Sequence, residues 1–309
     1  MTAAPILSRP HLLGIEDLSV KEIEDLLTHG ARFAQPGHQL TPHTGRSVVN
    51  LFYENSTRTR TSFELAAKKL GAEVINIDIA TSSVVKGETL ADTARTLDAM
   101  GVDVIIIRHH EAGAAQRVAG LVDCAVVNGG DGTNEHPTQA LLDAATILQH
   151  KNKIAGLHIA ICGDIRHSRV ARSNIFLLSR LGAKIRIIGP GNLLPPETEQ
   201  LGVVRTSNMA EGLADADVVM MLRLQLERMD IETTPDLVRY QNAYRLNRDK
   251  LKLAKPDAIV MHPGPLNRMV EITDEVADDP KHSVILEQVR NGVFMRMAVL
   301  DRLLSRKAG

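Results

Sequence analysis

Ser56-Thr57-Arg58-Thr59-Arg60 places three hydroxyls and two guanidiniums in five consecutive residues. The apolar run 48–52 before it reads as a buried strand, and 61–71 after it reads as a helix closed by Gly71. The cluster therefore falls on the first turn of a helix, where unpaired N–H groups and the helix dipole already favour an anion. Two arginines at that end raise the positive potential further, which suits a bound phosphate. The plainer reading is a Ser/Thr cap flanked by surface arginines. The density of hydroxyls and cations directly after a strand favours the anion site.

Other residues able to do chemistry fall at the same kind of place, past the end of a strand-like run. Arg108 follows 104–107 and can add a second charge-assisted grip on phosphate. His136 and Gln139 close the Gly-rich stretch 128–139 and lie three apart on a helix opened by Pro137, so both can face one ligand. An imidazole donor and an amide suit a carbonyl-type group beside the phosphate. Arg169 and Arg223 sit on separate loops after the runs 157–162 and 218–221, with Gln225 close to the second. Arginine binds carboxylate bidentately, so two of them suit a dicarboxylate. Surface salt bridging to acids such as Glu227 or Asp230 is the alternative. In the polar loop 80–89, Ser82 and Lys86 taken alone read as solvated loop residues.

Several other chemistries lack their signature. There is no G-x-x-x-x-G-K-[ST] for a nucleotide P-loop and no G-x-S-x-G for a serine nucleophile. Gly163-Asp164 ends a strand-like run without the G-x-G-x-x-G of dinucleotide binding. His109-His110 has no carboxylate or cysteine at ligand spacing. No metal and no cofactor are expected.

The elements that must position these residues alternate. Strand-like runs at 48–52, 74–77, 104–107 and 124–127 interleave with helical runs at 59–70, 89–100, 112–119 and 137–148. Ser19-Val20-Lys21-Glu22 is a capping box that opens an earlier helix. After the polar patch 149–153 the rhythm restarts, with strand-like runs at 157–162, 184–188, 218–221 and 258–261. Helical runs at 168–181 and 209–214 and a long one at 283–304 complete it. This alternation means βαβ units, hence an α/β fold with two parallel sheets. Ligands then gather at the carboxyl ends of strands, and two such rims facing each other would make an inter-domain cleft.

With 309 residues, the chain suits two domains. A net charge of −1 and no tryptophan argue against nucleic acid. No signal-peptide pattern and no run of membrane-spanning length is present. Cys124 and Cys162, each in an apolar run, read as buried thiols of a reducing compartment. A cytoplasmic enzyme is the expectation.

In these motifs the chain resembles the carbamoyltransferase family, in its aspartate-using branch. The family shares S-x-R-T-R, matched by residues 56–60, and H-P-x-Q, matched by residues 136–139. The aspartate branch adds K-G-E-T at 86–89, G-D-x-x-H-S-R at 163–169, R-x-Q-x-E-R at 223–228 and H-P-G-P-x-N-R at 262–268. They occur in order from about residue 46 to 300. The ornithine branch's S-M-G and H-C-L-P motifs are absent. Val170 stands where one branch has threonine, and the 262–268 loop is longer than that branch's H-P-L-P-R. Both point to another branch.

The resemblance implies a carbamoyl phosphate domain, 1–149 plus 287–309, and an aspartate domain, 150–286, with the last helix returning to the first domain. It implies that Ser56, Thr57, Arg58, Thr59, Arg108, His136 and Gln139 hold carbamoyl phosphate, with the backbone of Gly264 and Pro265 at its carbamoyl end. Arg169, Arg223 and Gln225 would hold aspartate. It also implies a homotrimer in which Ser82 and Lys86 enter the neighbour's site. Arg58, Thr59, Arg108, His136 and Lys86 would form the catalytic set. Regulatory or dihydroorotase-like partner chains accompany some branches.

Overall fold

The computed structural model describes residues 7, 10–38, 42–195, 197, 200, 202–229 and 234–305. In chain order the first elements are α1 (Val20–Phe33), β1 (Ser47–Phe52), α2 (Thr57–Lys69), β2 (Glu73–Ile77), α3 (Leu90–Ala99), β3 (Val104–His109), α4 (Ala114–Ala119), β4 (Ala125–Asp131) and α5 (Pro137–Lys151). There follow β5 (His158–Cys162), α6 (Arg169–Arg180), β6 (Lys184–Ile188), β7 (Val204–Thr206), α7 (Met209–Leu213), β8 (Val218–Met221) and α8 (Leu237–Tyr244). The last are α9 (Arg248–Leu251), β9 (Ile259–Met261), α10 (Asp274–Ala277) and α11 (Ile285–Leu304).

The strands form two parallel sheets, ordered β2-β1-β3-β4 and β7-β6-β5-β8-β9. Two compact units follow: residues up to Ala145 together with those from Val289, and Thr146–Gln288. The division falls inside α5 and inside α11. In the first unit, Val104–Ile107 of β3 is buried on both faces, as a central parallel strand between helices must be. The edge strand β2 is largely exposed. In the second unit, Ala160, Cys162, Val219, Met221 and Val260 share a core with Tyr240, Leu246 and Ile272.

Local chemistry sets the ends of these elements. Ser19 Oγ accepts the Glu22 N–H at 3.2 Å while the Ser19 N–H donates to Glu22 Oε2 at 2.8 Å, the expected capping box. Helix α5 runs three residues past its expected end and stops at Asn152, whose φ of +58° breaks the α-helix. The terminal helix packs on the first unit: a Cβ added at Gly30 of α1 would lie 2.2 Å from Met295 Sδ of α11. Any side chain there would displace the Met295 thioether, although the Met295 backbone is 3.6 Å away. Strand β7 and helices α9 and α10, of three or four residues each, are too short for a periodic pattern, and the eight-residue α8 was not anticipated either. Among the described residues, no helix is long and apolar enough to cross a membrane.

Candidate active site

In an open parallel sheet, the crevice for a ligand opens where successive connections leave to opposite sides. In the first sheet that point lies between β1 and β3, and the residues singled out above lie on both sides of it. Ser56 is the N-cap of α2, in an extended conformation, and its Oγ accepts the Thr59 N–H at 3.3 Å. Ser62 Oγ donates to the Arg58 and Thr59 carbonyls at 2.7 and 3.0 Å, tightening the same turn. Thr59 is buried, whereas Thr57, Arg58 and Arg60 are exposed. The cap uses one N–H, and Arg58 and Arg60 beside it are exposed. Arg108 lies within β3, not after it, because the strand continues to His109. Its Nη1 donates to the Gly129 carbonyl at 3.2 Å, and its Nε lies 3.3 Å from Glu54 Oε2 in the loop after β1. The crevice is thus bridged by an ion pair.

The Gly-rich rim also begins inside a strand, since β4 extends to Asp131. Asp131 is buried and gathers the rim, accepting from the N–H groups of Gly113 (2.7 Å) and Glu135 (3.1 Å) and from the amides of Asn128 and Asn134. Glu135 in turn accepts the Ile15 N–H at 2.9 Å. This scaffold delivers His136 at the threshold of α5. His136 and Gln139 are both buried, and Gln139 Nε2 donates to the fully buried Asp143 Oδ1 at 2.9 Å. Asp131, Glu135 and Asp143 were given no role from the sequence; the available signals were an acid within a Gly-rich turn for Asp131 and the i+4 spacing from Gln139 on one helix for Asp143.

Ser82 and Lys86 belong to a loop of two short 3-10 turns, Ile79–Thr81 and Ser83–Lys86. Ser82 Oγ donates to the Ile79 carbonyl at 3.0 Å and accepts the Val84 N–H at 3.3 Å, and the Lys86 side chain is exposed. Among the described residues, neither makes a hydrogen bond or ion pair to residues 56–60, Arg108, His136 or Gln139.

In the second sheet the reversal lies between β5 and β8, and again the flagged loops follow those two strands. The strand ends approach so closely that a Cβ on Gly163, whose φ is +128°, would sit 2.4 Å from the Leu222 carbonyl oxygen. Only glycine fits there. Asp164 is fully buried and accepts from the His167 N–H at 3.2 Å, from His167 Nδ1 at 2.9 Å and from the Gln225 N–H at 3.2 Å. One carboxylate therefore ties the two loops together. Ser168 caps α6, and Arg169, its first residue, is buried. Arg223 donates to both carboxylate oxygens of Glu227 and from Nη2 to Gln225 Oε1 at 3.1 Å. That bonding raises the guanidinium pKa further and holds the Glu227 carboxyl below its usual range. For Arg223, then, the intrachain ion pair weighed from the sequence is present. Asp230 lies outside the described residues.

The 262–268 loop is fixed from beneath. His262 Nδ1 accepts the Gly264 N–H at 2.8 Å, so its Nε2 carries the proton toward Glu271 Oε1 at 3.2 Å. Glu271 Oε1 also accepts the Asn267 N–H at 2.6 Å. Gly264–Pro265 is a cis peptide, and both residues are solvent-accessible. Glu271 was not anticipated.

The expectation that no carboxylate stands at ligand spacing from His109-His110 is corrected by the adjacent Glu111: potential ligand atoms of His109, His110 and Glu111 all lie within 4.8 Å of one another. The Glu111 carboxylate is engaged by Arg117, and His109 Nδ1 accepts the Glu111 N–H at 3.0 Å.

Comparison with known proteins covers nearly all of this architecture. Residues 10–149 match the family description aspartate/ornithine carbamoyltransferase, carbamoyl-P binding domain, and residues 155–303 match the Asp/Orn binding domain of the same family. The chain is 57% identical over 309 residues to an aspartate carbamoyltransferase catalytic subunit of Methylorubrum populi, covering 98% of each chain. It is similar in structure to an aspartate transcarbamoylase of Trypanosoma cruzi in complex with carbamoyl phosphate and aspartate, with a TM-score of 0.84 and 34% identity over 96% of this chain and 98% of that one. It is equally similar to an ornithine carbamoyltransferase of Pyrococcus furiosus, with a TM-score of 0.87 and 28% identity over 99% and 100% of the two chains.

Proposed function

The chain belongs to the aspartate/ornithine carbamoyltransferase family, and we infer from that premise that it transfers the carbamoyl group of carbamoyl phosphate to the amine of L-aspartate. The products are N-carbamoyl-L-aspartate and phosphate, an early step of pyrimidine synthesis. One observation carries the choice of acceptor: 57% identity across 98% of a relative named for aspartate. The fold does not distinguish the acceptors, since an ornithine enzyme superposes as well as an aspartate one. Two arginines in the second unit's strand-end loops support a dicarboxylate over a cationic acceptor.

Roles follow from the chemistry. Ser56, Thr57, Arg58, Thr59 and the first-turn N–H groups of α2 hold the phosphate, with Arg108 beside them. His136 donates to the carbamoyl oxygen, and Gln139 and the backbone of Gly264 and Pro265 meet the carbamoyl amine. Arg169, Arg223 and Gln225 hold aspartate. The neutral amine attacks the carbamoyl carbon, a tetrahedral intermediate forms, and its C–O bond to phosphate breaks. Arg58, Arg108 and His136 stabilise the oxyanion and the departing phosphate. The phosphate takes the amine's proton. No covalent enzyme intermediate is required; positioning and electrostatics supply the rate.

Residues 1–149 with 287–309 form the donor domain and 150–286 the acceptor domain. The active form is a homotrimer in which Ser82 and Lys86 serve the neighbouring copy; the exposure of Lys86 and its lack of any bond to the first-unit site within its own chain support this. Free thiols at Cys124 and Cys162 support a cytoplasmic setting. A turnover assay on the purified chain, with aspartate and ornithine in parallel, tests the reading. Carbamoyl-aspartate is expected; product from ornithine alone would overturn the acceptor.

A further inference from the structure

We propose that Asp143 is a positioning residue that makes the first unit's site selective for a carbamoyl group over an acetyl group. It does so by fixing which end of the Gln139 amide faces the ligand. The inference rests on the assignment of carbamoyl phosphate to that unit.

His136, just before α5, and Gln139 and Asp143 within it stand at i, i+3 and i+7, and the latter two share one face of the helix. A primary amide has two ends of similar shape and opposite polarity, so packing alone does not choose between them. Asp143 does choose. A carboxylate only accepts hydrogen bonds, so the end turned toward it must be the NH2. Gln139 Nε2 accordingly donates to Asp143 Oδ1 at 2.9 Å, in a buried contact. The carbonyl Oε1 is then the end presented away from Asp143.

The charge on Asp143 has a built counterpart. Arg296, from α11, is buried beside it. The Arg296 guanidinium donates to the Gly292 carbonyl at 3.0 Å and lies 5.0 Å over the Phe63 ring of α2. Room for it exists because residue 292 is glycine: a Cβ there would fall 2.6 Å from Arg296 Nη1. Burial lowers the Arg296 pKa to about 10, with the Asp143 charge opposing that fall, so the arginine stays cationic at neutral pH. A buried carboxylate and a buried guanidinium thus compensate each other.

The chemical consequence is specific. A carbamoyl group carries an NH2 where an acetyl group carries a methyl of nearly the same size. An outward Oε1 accepts from the NH2, whereas a methyl leaves it unpaired. If the amide were reversed, its own NH2 would face the carbamoyl NH2, and the preference would vanish.

Asp143→Asn tests this, because asparagine can donate to Gln139 and release the amide to turn over. Dissociation constants of carbamoyl phosphate, acetyl phosphate and inorganic phosphate are measured without aspartate. The variant's preference for carbamoyl over acetyl phosphate is expected to shrink about tenfold, with inorganic phosphate unaffected. An unchanged preference, or equal weakening of all three ligands, would overturn the inference. Since Asp143→Asn strands the Arg296 charge, the double variant Asp143→Asn/Arg296→Met removes both charges and is read in the same way. A chain that binds carbamoyl phosphate selectively through Asp143 yet makes no carbamoyl-aspartate would refute the reaction and uphold this inference.

Discussion

Arg223 donates from both terminal nitrogens to the carboxylate of Glu227, four residues further along the loop after β8. With the Leu224 carbonyl on Nη1 and Gln225 Oε1 on Nη2, this hold engages both terminal nitrogens of the guanidinium within the chain. Glu227 is half exposed, so the pair contributes little to stability, but it aims a long side chain. Glu227→Gln is expected to raise KM for aspartate about fivefold, roughly 1 kcal/mol, with little change in carbamoyl phosphate binding. A lower KM would mean that Glu227 competes with the substrate.

Arg58 lies on the exposed first turn of α2 and is assigned to the phosphate and the developing oxyanion. Arg58→Ala is expected to lower kcat by about 10²–10³, some 3–4 kcal/mol of barrier, by analogy with losing an oxyanion donor. Near-normal turnover would remove Arg58 from the mechanism.

If sites are shared between copies, a chain lacking Lys86 and a chain lacking Arg58 are defective in different halves of the site. Each variant alone should be nearly inactive. Dissociated and reassociated together, they should regain activity, because some sites then combine intact Lys86 with intact Arg58. Activity no higher than the average of the parents would exclude shared sites.

Asp301 of α11 is clasped by His29 of α1 at 2.7 Å and by His43 at 2.8 Å. Burial works against its charge, but the two histidine hydrogen bonds outweigh burial and hold the carboxyl well below its usual range. A depressed carboxyl stabilises the fold above its unfolded pKa of about 3.9 and loses that contribution as pH falls toward the folded value. Asp301→Asn should therefore cost about 2 kcal/mol at pH 7. Denaturant unfolding should show that gap narrowing below about pH 4. A gap that is constant with pH would refute the clasp's ionic part.

Cys162 is buried as expected, but Cys124 is only partly so; burial nonetheless raises both thiols, Cys124, also beside Asp98, to about 12 and the wholly enclosed Cys162 further. Since the thiolate is the nucleophile, neither should react appreciably with a thiol reagent at pH 8 in the native chain. Both should react at once in denaturant. Native reaction at the rate of a free cysteine would contradict this packing.

Much of the fold was legible because it is written locally. The Ser19–Glu22 capping box, the apolar run of β3 and the cap at Ser56 each depend on neighbours within a turn or a strand, and each formed. The chemistry-bearing residues were legible for a related reason: side chains that bind anions cluster where strands end. What spacing could not supply were the buried acids that hold those residues in place. Asp131, Asp143 and Glu271 look like ordinary polar residues in sequence, as does the half-buried Glu54 that pairs with Arg108.

The alternation of strand and helix, and the motifs at the strand ends, are already present in the linear order of residues. That the loops after β1 and β3, and those after β5 and β8, are neighbours comes from the folded sheets, because strand order is a property of the sheet and not of any local segment. The same holds for the contacts that lock them. Glu135 reaches Ile15 across 120 positions, and Asp164 reaches Gln225 across 61. Such a partner is chosen by which backbone N–H groups folding would otherwise bury unpaired, and that is settled only when distant segments pack together.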